Sequence, residues 1–155
     1  MSLNNAMKYL EEKGYKDRVM IFDSSSATVE LAAKAVGTEP CKIAKSLTFK
    51  VDDKPIMILC AGDVKINNQA YKAKFHQKAK MLSREEVETL IGHNVGGVCP
   101  FGINAGVDVY LDESLKRFDY IYPAAGSANS AVKLTIEELE TLSNYKEWID
   151  VCKSI

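Results

Sequence analysis

Apolar residues recur with helical spacing in several stretches of the chain. The pattern predicts helices over residues 4–13, 27–36 and 83–91 and a further helix from residue 135. Gly14, Gly37 and Gly92 follow the first three, where glycine commonly ends a helix. The serines at 24–26 are predicted to begin the second helix, and the last two begin with the capping boxes Ser83-Arg84-Glu85-Glu86 and Thr135-Ile136-Glu137-Glu138. A closing helix is predicted around Trp148.

Stretches rich in β-branched and apolar residues predict strands between these helices. They cover residues 18–22, 44–51, 55–61, 107–111, 120–124 and 131–134. The second and third flank the turn Asp52-Asp53-Lys54 and are predicted to form a hairpin, which Gly62-Asp63 ends. Strands joined both by a hairpin and by helices indicate an α+β domain with a mixed, largely antiparallel, curved sheet covered by helices.

Length and composition are those of one soluble globular domain spanning residues 1–155. The chain is 46% hydrophobic and 26% charged, with a net charge of −1 and no apolar run of membrane-spanning length. The first five residues lack the pattern of a signal peptide, so we expect a cytosolic protein. The cysteines at 41, 60, 99 and 152 form neither a Cys-x-x-Cys pair nor a cluster with histidine. We therefore predict free thiols, no metal site and no cofactor.

Two features together predict a binding site. Glycine is concentrated in residues 92–102, where it lets the backbone approach a ligand closely, and Pro100 stiffens one end of that loop. Lys45 lies in the apolar run 43–49 on the first hairpin strand. A cation there is costly to bury unless a substrate group, a carboxylate or water meets it. The alternative is an edge-strand lysine in contact with water.

Residues 64–84 form a locally basic segment without Asp or Glu. Tyr71 and Phe75 stand four apart, as do Lys74 and Lys78, so a helix here would bury aromatic rings on one face and present cations on another. Such a face suits a nucleic-acid backbone, and a solvated amphipathic helix is the alternative interpretation. The candidate cations are Lys65, Lys72, Lys74, Lys78, Lys80 and Arg84.

Common catalytic signatures are missing from the sequence, including the nucleophile elbow, the Walker motif and the zinc-protease helix. His76 is interpreted as an exposed helix residue. His93 is interpreted as a residue that hydrogen-bonds the glycine-rich loop, and a position in the pocket is the alternative. Cys99 has no identifiable base partner and is interpreted as a small buried hydrophobe rather than a nucleophile. Lys45 is better suited to holding a carbonyl or phosphate than to forming a Schiff base, although the sequence leaves both open.

Five motifs in order give the chain a family resemblance. They are residues 24–33, Ile43-Ala44-Lys45-Ser46-Leu47, Ala61-Gly62-Asp63, residues 92–102 and Ala125-Gly126-Ser127. In this order they resemble the YbaK/prolyl-tRNA synthetase-associated domain family over nearly the whole chain. The resemblance implies an α+β fold with a barrel-like sheet, and a free-standing deacylase that hydrolyses mischarged tRNA carrying a small amino acid such as Ala, Ser, Cys or Thr. An aminoacyl-tRNA synthetase is a second implied partner.

The resemblance also implies roles for individual residues. Lys45 would position the aminoacyl ester, and the 2′-hydroxyl of the terminal adenosine would assist the attacking water. Backbone amides of the glycine-rich loop would stabilise the developing oxyanion. The implied substrate-binding residues are Ser26, Thr28, Gly96, Gly97, Val98, Pro100, Gly102, Gly126, Ser127 and Asn129, and the basic segment becomes a surface for the tRNA acceptor stem.

One segment departs from the family pattern. Several members carry a Gly-Gly-Lys-Arg-Gly-Leu-Asp-like sequence where this chain has Ala125-Gly126-Ser127-Ala128-Asn129-Ser130-Ala131. Ser127 and Asn129 would replace the charges with neutral hydrogen bonds and alter which side chain is accepted; a glycine-centred turn whose polar residues satisfy the local backbone is the alternative. A different function class also stays open, namely a non-catalytic module that binds tRNA or a synthetase.

Overall fold

Five α-helices surround the sheets in the computed structural model, which describes residues 2–155. Their bounds are α1 Ser2–Glu12, α2 Val29–Val36, α3 Asn68–Phe75, α4 Arg84–Glu86 and α5 Ile136–Ser143. A π-helical turn, Val87–Ile91, continues α4 and ends at Gly92. Both predicted capping boxes are present, at Ser83 and Thr135. The N-cap of α2 is Thr28, whose side chain accepts from the Leu31 N–H, so the prediction that serines 24–26 begin this helix is wrong.

The ten strands found in residues 2–155 form one central sheet and two small ribbons. They are β1 Val19–Ile21, β2 Ile43–Val51, β3 Lys54–Ala61, β4 Val64–Ile66, β5 Asp108–Asp112, β6 Tyr120–Pro123, β7 Ser130–Val132, β8 Leu134–Thr135, β9 Glu147–Ile149 and β10 Cys152–Ser154. The central sheet has the order β8-β6-β2-β3-β5-β9 and is curled into a half-barrel. The ribbons pair β1 with β7 and β10 with β4.

Strand direction is mixed, as predicted. Within residues 2–155, four of the seven strand pairings are antiparallel, and β6, β5 and β9 supply the parallel ones. The hairpin β2–β3 pairs eight residues of each strand, from Ala44↔Ala61 to Val51↔Lys54. Its turn residues Asp52 and Asp53 have φ angles of 50° and 64°, which a two-residue hairpin turn requires.

The two faces of the β2–β3 hairpin are buried in different clusters. On one face, Ala44, Met57 and Leu59 join the larger core, which extends to α1, α5 and the glycine-rich loop. On the other face, Phe49 packs against Tyr71 of α3, which in turn packs against Phe75. Burial on both faces explains why β3 has an unbroken apolar run from Ile56 to Ala61 rather than an alternating pattern.

The largest error of the sequence-based prediction concerns the C-terminus. The helix expected around Trp148 is absent from the described chain, and residues 147–149 form β9 instead. Because β9 pairs in parallel with β5, it extends the central sheet by one strand. Trp148 N–H donates to Glu140 of α5 at 2.9 Å. Tertiary pairing therefore overrode a weak local preference.

The helices offer no candidate for membrane insertion. None of those in residues 2–155 combines the length and apolar character needed to cross a bilayer.

Candidate functional site

A break in the strand pairing of β2 opens a cavity of about 520 Å³. On one side of the break, β6 pairs with β2 only at Ile43 and Ala44. On the other side, the Leu82 N–H donates to the Thr48 carbonyl at 3.2 Å. The cavity lies between these contacts, and its size is typical of small-molecule sites. Hydroxyl-bearing residues in its wall are Ser26, Thr28, Ser46, Thr48, Tyr122 and Ser130.

Among the described residues that line this cavity, two are charged, and both are cationic. They are Lys45 of β2 and Arg84, the first residue of α4. The Lys45 ammonium donates to the Val64 carbonyl. The Arg84 guanidinium lies at 3.7 Å from Glu88. With no carboxylate in its described lining, the cavity presents positive charge to an entering ligand.

Lys45 also interacts electrostatically with Asp63, which forms an ion pair with Arg117. Asp63 accepts two hydrogen bonds from Arg117, at 3.0 and 2.6 Å. These bonds hold the pKa of the Asp63 carboxyl below its usual value, and the nearby charge of Lys45 contributes to that shift. This pair fixes the residue before Val64, so it steadies the carbonyl that holds the lysine ammonium.

The glycine-rich loop reaches the cavity at Gly96 and Val98, which both line it. Gly96 has a φ of +98°, a conformation that favours glycine. Gly97 is buried between them, and a Cβ atom there would lie 2.4 Å from the Ser127 nitrogen. The Gly97 N–H donates to the Asn94 carbonyl at 3.0 Å. Close contact between two backbones is therefore the reason that residue 97 is glycine.

The segment that departs from the family pattern is a hydrogen-bonded turn. Ser127 Oγ lies 2.8 Å from both Asn129 Oδ1 and Ser130 Oγ. Asn129 Nδ2 donates to the Phe22 carbonyl at 2.9 Å, and the Ser26 N–H donates to Ala128 at 2.6 Å. The side chains of Ser127 and Asn129 satisfy the local structure rather than line the cavity, as the alternative interpretation predicted. Together with Gly126, which packs against Gly97, they hold Ser26 in the cavity wall.

Pro100 and Gly102 occupy a different place from the one predicted. Both line a second cavity of about 480 Å³ together with Tyr9 of α1. Gly102 has a φ of +68°, and a Cβ atom there would lie 2.5 Å from the Asn5 carbonyl oxygen. The physical role of this half of the loop is thus to pack against α1, and the structure does not bring these two residues to the cavity of Lys45.

His93 and Cys99 form a buried pair inside the loop. His93 is 1% exposed, and its Nε2 lies 2.7 Å from the Phe101 carbonyl and 3.4 Å from Cys99 Sγ. The predicted hydrogen bond from His93 to the loop is confirmed. Because a carbonyl oxygen only accepts, His93 Nε2–H is the donor to Phe101, and this protonated nitrogen cannot act as a base for Cys99, in agreement with the prediction. Burial raises the pKa of Cys99 to about 12, so the thiol stays protonated and inert at neutral pH. All four cysteines are free thiols, as predicted.

Burial also lowers the pKa of His93, because the charged imidazolium is poorly solvated there. The stabilisation from neutral His93 is complete above the ordinary value of about 6.5 and is lost as the pH falls through the lower folded pKa. We expect the free energy of unfolding, measured by urea denaturation, to decrease from pH 7.5 to 5.5. His93→Gln should remove part of this dependence, and His76→Gln, at an exposed position, should retain it. Identical pH profiles for wild type and His93→Gln would contradict the assignment.

The basic segment does not form one continuous cationic surface. Tyr71 and Phe75 are buried as predicted, but α3 ends at Phe75 and His76 adopts a φ of 62°, so Lys74 and Lys78 do not share a helix face. Lys74 also pairs with Glu147 of β9. The remaining lysines of the segment are exposed, at positions 65, 72, 78 and 80. Met81 and Arg84 line the cavity with exposed side chains and form its rim, and the exposed Lys80 directly precedes Met81 in the chain.

A protein-family model for an aminoacyl-tRNA editing domain matches residues 23–142. The chain belongs to this editing-domain family. A Bacillus subtilis relative, the uncharacterized protein YwhH, is 48% identical over 99% of this chain and 98% of its own length. The proline–tRNA ligase of the same bacterium is 30% identical over 68% of this chain, which spans only 18% of the ligase. A solved structure described as a proposed trans-editing enzyme for prolyl-tRNA synthetase has a TM-score of 0.88 and 28% identity, with 99% of this chain and 98% of that one covered.

The matched region of the editing domain contains the cavity, Lys45 and the glycine-rich loop. The α+β fold implied by the sequence motifs is therefore confirmed. Sequence reasoning missed other parts of the cavity wall, such as Val29, Ile43 and Tyr122, and it missed the Val64 carbonyl that holds Lys45. Nothing in the local sequence marks these groups, because they meet only when β2, β4 and β6 come together. In residues 2–155, no group of three His, Cys, Asp or Glu residues could hold a metal ion.

Proposed function

We propose that this editing domain is a free-standing deacylase that hydrolyses the ester of tRNA mischarged with a small amino acid. The observation that carries the proposal is the cavity at the break in β2, where Lys45 is the central cation. Two cationic residues and several hydroxyl groups suit a substrate that joins a small polar amino acid to a nucleotide. The similarity to the proposed trans-editing enzyme supports the same conclusion.

The cavity supports chemistry in which the substrate supplies part of the catalysis. Its described lining contains no carboxylate, histidine or cysteine that could activate water. The 2′-hydroxyl of the terminal adenosine can both donate and accept hydrogen bonds, so it can orient the water that attacks the ester carbonyl. Lys45 holds the ester or its neighbouring phosphate in place, and transfer of a proton to the 3′-oxygen releases the amino acid and the tRNA.

Backbone amides of the loop are the candidates for stabilising the oxyanion. Because the Gly97 N–H is committed to Asn94, the amides of Gly96 and Val98 fill this role in our proposal. Ser26 and Thr28 border the amino-acid side chain, although the Thr28 hydroxyl also caps α2. A pocket that accepts small side chains would remove errors that a synthetase cannot reject by size.

The experiment that tests this function is deacylation of a panel of tRNAs. Alanyl-, seryl-, cysteinyl- and threonyl-tRNAs, each on its own tRNA and on tRNA(Pro), are incubated with the enzyme, and the remaining ester is measured over time. We expect turnover of at least one mischarged species well above spontaneous hydrolysis. Binding of tRNA without any turnover would identify a non-catalytic module instead, and neither binding nor turnover would overturn the assignment to tRNA.

Arg84 at the rim and the neighbouring Lys80 predict a salt-dependent tRNA contact. We expect Lys80→Ala and Arg84→Ala to weaken binding of uncharged tRNA, and each to reduce the slope of log affinity against log salt by up to about one. The measurement is fluorescence anisotropy at several salt concentrations. Lys8→Ala, at an exposed position of α1, is the matched control. Equal slopes for all four proteins would place the tRNA on another surface.

A further inference from the structure

In β2, the backbone N–H and C=O groups of successive residues point alternately towards the two edges of the strand. The Thr48 carbonyl accepts from Leu82, and the Lys50 N–H donates to Lys80, so both residues direct their peptide groups away from β3. Peptide groups in a strand alternate in direction with a period of two. Ser46, two residues before Thr48, therefore directs its N–H and C=O towards the same edge, where the cavity lies.

These two groups of Ser46 fall in the break of the strand pairing. The ladder with β6 ends at Ala44↔Pro123, and the 80–82 segment begins its contact at Thr48. In the described chain, the pairing with β6 does not extend to Ser46, and none of the backbone hydrogen bonds that link loops to strands includes the N–H or the C=O of Ser46. Ser46 itself is only partly exposed, and it lines the cavity. A backbone donor and a backbone acceptor are thus left side by side in a sheltered site, where leaving them unpaired is costly.

We propose that the Ser46 N–H and C=O bind the carbonyl and the α-amino group of the aminoacyl ester. This inference rests on the proposed function and names how the same cavity recognises its substrate. The amino acid takes the place of one residue of a neighbouring strand. Its α-amino group donates to the Ser46 carbonyl, and the carbonyl oxygen of its ester accepts from the Ser46 N–H. Addition of a strand to an open sheet edge is a common mode of peptide recognition.

The chemistry of the cavity fits this arrangement. A free α-amino group has a pKa of about 7.7–8.0, so near neutral pH it donates in both of its protonation states. The Lys45 ammonium donates to the Val64 carbonyl. It therefore does not occupy the Ser46 carbonyl, which is left for the substrate. Backbone groups recognise what all amino acids share, so discrimination between side chains falls to the rest of the wall. The site therefore recognises an amino acid rather than any acyl group.

The direct test uses substrates that differ only in the α-amino group. The most reactive aminoacyl-tRNA of the panel is compared with its desamino counterpart, which is propionyl-tRNA for alanyl or 3-hydroxypropionyl-tRNA for seryl. Each rate is divided by the spontaneous hydrolysis rate of the same ester. We expect the enzyme to favour the amino ester by about 10- to 100-fold, the range for loss of a hydrogen bond to a charged group. Equal acceleration of both esters would overturn the proposal.

A variant tests the N–H separately. Ser46→Pro removes an N–H that points away from β3, and proline is tolerated at such an edge position. We expect it to lose about 10-fold or more in kcat/KM while its thermal unfolding stays cooperative. Ser46→Ala keeps both backbone groups and should keep the preference for the amino ester; loss of that preference would assign recognition to the hydroxyl instead.

Failure of the inference and failure of the proposed function give different results. If the wild type hydrolyses no ester in the panel, the proposed function falls and the inference falls with it. If it hydrolyses amino and desamino esters equally well, the deacylase function stands and the Ser46 contact is wrong. If Ser46→Pro no longer folds, the comparison of substrates on the wild type still decides the matter.

Discussion

Lys45→Ala is expected to lower deacylation of the mischarged tRNA by about 100-fold or more, the effect of removing a preorganised group that stabilises a transition state. Among the described residues of β2, Lys45 alone brings a charged group to the cavity wall, and the Val64 carbonyl holds its ammonium in position. The affinity for uncharged tRNA should change little, because most phosphate contacts would come from the rim. Single-turnover rates and anisotropy on the same preparations measure the two quantities.

Two further variants separate the charge from its side effects. Lys45→Met keeps most of the length of the side chain without the ammonium, so we expect the same loss of activity as for alanine. Lys54→Ala removes an exposed lysine from the start of β3 and should leave the rate unchanged. Because Lys45 also favours the charged form of Asp63, the free energy of unfolding of each variant should be measured. Activity of Lys45→Met equal to wild type would remove the charge from the mechanism.

Gly97→Ala is expected to disrupt the wall of the cavity. The added Cβ would lie 2.4 Å from the Ser127 nitrogen and 2.5 Å from the Gly126 carbonyl carbon, and neither backbone atom can move as a flexible side chain does. Overpacking of this kind typically costs about 1–3 kcal/mol of stability. Moving Gly97 would displace Gly96 and Val98 as well, so deacylation should fall by at least about 10-fold. Urea denaturation and the deacylation assay measure the two effects.

A second glycine provides the matched control. Gly106 has a φ of +90°, and a Cβ atom added there would have no described heavy atom within 4 Å, so alanine brings backbone strain without a collision. Gly106→Ala should cost about 1 kcal/mol of stability and retain the deacylation rate. If Gly97→Ala behaves in the same way, close contact between the loops is not needed for the site.

Much of the secondary structure follows from local signals. The capping boxes at Ser83 and Thr135 identified two helix starts correctly, since a cap depends on residues three positions apart. The hairpin turn was equally readable, because Asp52 and Asp53 tolerate positive φ between two apolar strands. In contrast, β9 was predicted as a helix, because three residues take their conformation from pairing with β5 rather than from their own preference.

The sequence predicted several residues of the candidate site, but it did not predict how they are arranged in space. Lys45, Ser26, Thr28, Gly96 and Val98 were expected at the site, and all five line the same cavity. Pro100 and Gly102 belong to the same glycine-rich stretch, yet they pack against α1. A loop of about ten residues can contact two parts of a protein, and sequence does not say where it changes direction.

The sequence by itself determined the α+β class, the hairpin that carries Lys45, and the family, because these depend on local patterns and on motifs in order. Only the tertiary structure decided that β2 has an open edge at Ser46 and that the Val64 carbonyl holds the lysine. An open edge is the result of where β6 stops pairing and where residues 80–82 begin. Such a gap depends on contacts between segments far apart in the chain, for which no single segment carries a signal.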